Sequence, residues 1–83
     1  MEQYDILTLG NNKDYVISQI LNYKDHEYLL LIEVDKNENI LNDKLILEKI
    51  NKGSKICLGS IENKRTYECV RELFAKKLLE DLK

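Results

Sequence analysis

Residues 15–34 read YVISQILNYKDHEYLLLIEV, and the fold class follows from this stretch. Apolar residues recur at every second place in both arms, which is the period of a β-strand. Tyr15–Tyr23 reads as one strand, with Tyr15, Ile17, Leu21 and Tyr23 on one face. Gln19 interrupts that face and is placed near a sheet edge. Lys24-Asp25-His26 then turns the chain into Glu27–Val34. There Tyr28, Leu30, Ile32 and Val34 point one way, and Leu29 and Leu31 the other. A strand apolar on both sides belongs inside a sheet, so this is the predicted core strand.

Outward from this hairpin, Tyr4–Leu9 reads as a strand before the turn formers Gly10-Asn11-Asn12-Lys13-Asp14. Asp35-Lys36-Asn37-Glu38-Asn39 is polar throughout and reads as a loop. Leu45–Ile50 is the expected fourth strand, although a helix over Asn42–Lys52 stays open, because Leu, Glu and Lys are good helix formers. After the turn Asn51-Lys52-Gly53-Ser54, Ile56–Leu58 makes a short fifth strand. The period changes after Asn63, a suitable N-cap, where a helix of about 18 residues begins. Tyr67, Val70, Phe74 and Leu78 form its apolar stripe, with Glu68, Arg71, Glu72, Lys76 and Glu80 opposite. The expected fold is α+β: an antiparallel sheet of four to five strands built from hairpins, with one C-terminal amphipathic helix packed on one face.

Eighty-three residues, 43% of them hydrophobic, suffice for one domain spanning 1–83. A chain this short buries only about 60–65% of its unfolded surface, which leaves little material for a deep substrate cleft. The expectation is therefore a protein that is not an enzyme. The opening MEQYDILTLG carries acids where a signal peptide needs a basic start, and the longest apolar run is only Leu29–Ile32. A cytoplasmic setting without membrane partners is expected. Cys57 and Cys69 have no metal-ligand spacing and read as core-filling thiols.

Each chemically capable residue has a plainer role. His26 is the only histidine, but it falls at a hairpin tip. Cys69 lies in the first turns of the helix, where the dipole favours a thiolate, yet no histidine is expected beside it. Gly53-Ser54-Lys55 lacks the spacing and the following helix of a phosphate loop. Asp35 and Glu38 lack the dense oxygen pattern of a calcium site. Tyr4, Tyr15, Tyr23, Tyr28 and Tyr67 could stack bases, but several fall at core positions. No catalytic set, cofactor or metal ion is expected.

Charge is uneven. Residues 1–43 carry a net of −6 and residues 44–83 a net of +4. A nucleic-acid surface on the basic half would account for the split. The bases of the helix interleave with acids, however, and complementary halves of one small domain, or two chains meeting head to tail, are the favoured reading.

The pattern also resembles a family. Asp5-Ile6-Leu7-Thr8-Leu9, a polar turn, a strand and short turn before Glu27-Tyr28-Leu29-Leu30-Leu31, and Ile61-Glu62 leading into a helix with Val70 and Phe74 are its marks. They resemble the YrzB-like small domains of low-GC Gram-positive bacteria, over nearly the whole chain. The resemblance implies the same fold and a cytoplasmic setting, and it carries no functional residues, since that family has no established activity.

Two functional expectations follow. The first is a small protein-binding or regulatory module, acting through a sheet edge or through an apolar face using Leu29 and Leu31, which could equally close a homodimer. The second is a nucleic-acid-associated protein using Lys44, Lys49, Lys52, Lys55, Lys64 and Arg65, which requires those bases to share one face. An enzyme with a site shared between subunits at His26 or Cys69 ranks third.

Overall fold

A computed structural model describes residues 2–81. Five antiparallel strands follow one another as a meander: β1 (Ile6–Thr8), β2 (Asp14–Tyr23), β3 (His26–Val34), β4 (Ile40–Lys52) and β5 (Lys55–Ser60). Helix α1 (Lys64–Asp81) closes the chain. The α+β expectation holds, with β3 at the centre of the sheet. The helical alternative for Asn42–Lys52 is not realised. Leu45, Ile46 and Leu47 pair with Leu31, Leu30 and Leu29, and that cross-strand packing outweighs the helix propensity of the segment.

The β2–β3 turn contains only Lys24 and Asp25, whose φ angles of 49° and 65° are those of a primed hairpin turn. His26 is thus the first residue of β3 and not part of the turn. Gly53, at φ 63°, does the equivalent work between β4 and β5. In the β3–β4 loop, Asp35 Oδ1 accepts hydrogen bonds from the N–H groups of Asn37 and Asn39 at 2.8 and 2.9 Å. The Asn39 N–H foremost holds the Asp35 carboxyl below its ordinary pKa.

A β-bulge at Ser18 alters the expected facing of β2. Ile17 pairs with Leu31 and Gln19 with Leu30, so Ser18 is one residue in excess. Tyr15 and Ile17 consequently lie on one face of the sheet, and Leu21 and Tyr23 on the other, not all four together. Gln19 lies where β2 has run past β1, near the sheet edge as expected, but it is buried. Two carbonyls on this stretch of β2 are satisfied by side chains: Gln3 Nε2 donates to Ser18 at 2.9 Å and Lys77 Nζ to Ile20 at 2.7 Å.

Each face has its own core. On the first, Tyr15, Ile17, Leu29 and Leu31 are enclosed by Leu7, Leu9, Ile20, Leu45, Leu47 and Leu58, contributed from β1 through β5. The sheet curls, so residues from both edge strands converge on this cluster without a helix. Leu29 and Leu31 are fully buried and form no exposed apolar face, contrary to expectation. Glu27 and Glu33, near the two ends of β3 on this face, pair with Lys49 at 3.6 Å and Lys13 at 3.4 Å. On the second face, Val70 and Phe74 of α1 pack on Tyr28 and Leu30, flanked by Leu21, Tyr23, Ile46, Ile61 and Leu78. Asn63 caps the helix as its sequence predicts, its Oδ1 accepting from the Thr66 N–H at 3.0 Å.

Candidate interaction face

β1 pairs at one end of the sheet and β5 at the other, so at most four strands lie abreast. At a spacing of about 4.8 Å they are about 19 Å wide, whereas a helix with its side chains is about 10 Å across. One helix therefore leaves much of its face open. The row Tyr28, Leu30, Ile32, Val34 on β3 shows where the cover stops. Tyr28 and Leu30 belong to the core under α1, whereas Ile32 and Val34 floor a depression of about 290 Å³ beyond it. Val16 of β2, Ile6 of β1, Ile40 of β4 and Tyr4 complete its apolar lining, with Ser18 and Glu38 at its margin. Tyr4 and Ile40 are 72% and 71% exposed and Ile6 is 44% exposed, which is unusual for large apolar groups that share one concavity.

A second depression of about 220 Å³ runs between α1 and β4. Leu30, Ile46, Phe74 and Leu78 form its floor, Tyr67 and Ala75 its helical wall, and Lys44 and Arg71 its charged rim. Ile32 pairs with Lys44 across β3 and β4, so the two depressions adjoin.

A polar cleft of about 330 Å³ lies beside the β2–β3 hairpin end. His26 Nδ1 is 3.3 Å from Glu48 Oε2 there, and Glu27 and Lys49 form the pair described above. Lys49 and Glu27 compensate each other there, and among the described residues its lining brings no hydroxyl or thiol nucleophile to the histidine. Tyr28 is buried nearby, and that burial, with Glu48 and Tyr23 adding negative charge, raises its phenol pKa.

The remaining sequence candidates are scattered. Cys57 is exposed on edge strand β5, not in the core as expected, while Cys69 is half-buried. Tyr15 and Tyr28 pack in the two cores, and Tyr4 and Tyr67 sit in different depressions. The Asp35 carboxylate is occupied by its own loop, with Asn39 Nδ2 donating to Oδ2 at 3.2 Å. Among the described residues, no three His, Cys, Asp or Glu side chains gather as a metal set. No described helix is long and apolar enough to cross a membrane.

Register also separates the basic residues. Lys44, Lys52 and Lys55 fall on the helix-bearing face, Lys49 on the opposite one, and Lys64 and Arg65 in the first turn of α1. Lys44 and Lys52, eight residues apart on one strand, are roughly 26 Å from each other. Lys49 is further compensated by Glu27.

The chain matches no protein-family model, no curated protein and no solved structure. The residues that the sequence reading missed are Tyr4, Ile6, Val16, Ile32, Val34 and Ile40 as a group. Their one signal was the length of the apolar row on β3, which exceeds what the Val70–Phe74 stripe can cover.

Proposed function

We propose that this protein is a small, non-enzymatic protein-binding module that holds its partner on the uncovered half of its helix-bearing sheet face. The observation that carries this reading is the grouping of exposed Tyr4, Ile6 and Ile40 around the floor made by Val16, Ile32 and Val34. Apolar anchors held by a paired sheet cost little entropy to immobilise on binding, and burying one large aliphatic side chain contributes about 1.5–3 kcal/mol. The free edge of β5 offers a second, smaller contact. The exposed Cys57 thiol fits a reducing compartment such as the cytoplasm.

Affinity capture from nuclease-treated host lysate, read by mass spectrometry, tests this reading when wild type is run beside an Ile6→Ser, Ile40→Ser variant. A partner retained by wild type and lost by the variant is expected. The variant should unfold within about 0.5 kcal/mol of wild type, as surface substitutions generally do. Partners that disappear with nuclease would favour the nucleic-acid reading. Equal retention by both proteins would place the binding surface elsewhere.

A further inference from the structure

We infer that the occupant of this face is an acidic amphipathic helix of a partner protein, lying alongside α1 over β3 and β4; this rests on the protein-binding reading above. Three observations define that occupant. The first is width, since four strands abreast, about 19 Å, with one helix about 10 Å across leave room for one more beside it. The second is the shape and length of the vacancy. The two depressions join at the Ile32–Lys44 pair. From Ile46 to Ile40, which pair with Leu30 and Val34 across an irregularity in β4, the trough runs four residues along β3, roughly 13 Å. A helix of about nine residues has that length, and apolar side chains at i, i+3 or i+4, and i+7 would meet the apolar floor in sequence.

The third observation is charge. Lys44 rises from the sheet side of the trough and Arg71 from the helix side, and no carboxylate lines that depression. Among the described residues, neither cation forms an ion pair. A docked helix with Asp or Glu flanking its apolar stripe would meet both cations at the margin of an apolar contact. Glu38 at the far depression is the single acid of the trough, and it disfavours a continuous acidic flank there. The occupant is therefore apolar along its whole length, and acidic at the end that lies between Lys44 and Arg71.

The test uses a random 16-residue peptide display library selected against the full chain, with affinities then measured by fluorescence anisotropy. The expected winners carry apolar residues at helical spacing and an excess of Asp or Glu at one end. Their binding should fall at least tenfold in a Lys44→Glu, Arg71→Glu variant whose thermal melt is unchanged. Peptides with Glu replaced by Lys should then bind that variant better than wild type. Winners with two-residue alternation, or indifference to the charge reversal, would overturn the acidic-helix inference and leave the protein-binding reading standing. Failure to enrich any peptide would overturn both. Sedimentation equilibrium of the chain alone should show a monomer. A dimer dispersed by the same charge reversal would make the occupant a second copy and overturn the inference.

Discussion

Lys24 and Asp25 hold the central hairpin in a turn whose two positions both need positive φ, and neither residue is a glycine. Asn-Gly is the pair that fits such a turn without strain, so the chain carries a local cost here. Replacing Asp25 with Gly should raise the unfolding free energy by about 0.5–1 kcal/mol in urea titrations. A loss of stability would mean that the Asp25 side chain contributes more than its backbone strain costs. Asp35 gives a pH-dependent counterpart. Its folded pKa lies below the unfolded value of about 3.9. The contribution is therefore present above that value and lost as pH falls through the folded pKa. Asp35→Ala should be less stable than wild type near neutral pH, with the gap closing in acid. A gap that stays constant down to about pH 2 would contradict the assignment of the shift to the Asn37 and Asn39 hydrogen bonds.

At the scale of elements, the hairpin strands, the Asn63 cap and the Val70–Phe74 stripe were legible because each obeys a local period. The facing of β2 was not, because Ser18 adds one residue and so reverses the parity of everything after it. Tyr15 and Tyr23 look like partners in the sequence and end on opposite faces of the sheet. Since Ser18 is surplus to the pairing, deleting it should keep both flanks in register and leave the chain folded, at a cost within about 2 kcal/mol. Deleting Val16 instead would turn Tyr15 out of its core and should abolish cooperative unfolding. Circular dichroism melts compare the two, and equal damage would deny the bulge its register-correcting role. The burial of Leu29 and Leu31 was likewise illegible, since it depends on curl, which brings Leu7 and Leu58 from the two edge strands onto one cluster.

At the scale of the whole molecule, the two faces solve the same problem differently. One buries its apolar side chains by curling, with β1 through β5 all contributing, and needs no second layer. The other depends on α1, and a single helix is too narrow for it. The open apolar surface is therefore beside the helix and not on the face opposite it. The sequence could not locate it, because Tyr4, Ile6 and Ile40 become neighbours only through the meander order of the strands. Methyl-labelled NMR spectra of the protein, recorded as its captured partner is added, test this most directly. The account predicts that the methyl resonances of Ile6, Val16, Ile32 and Ile40 shift while those of Ile17, Leu29 and Leu31 stay in place. Shifts confined to Ile56 on β5, or to the Ile17, Leu29 and Leu31 core, would contradict it.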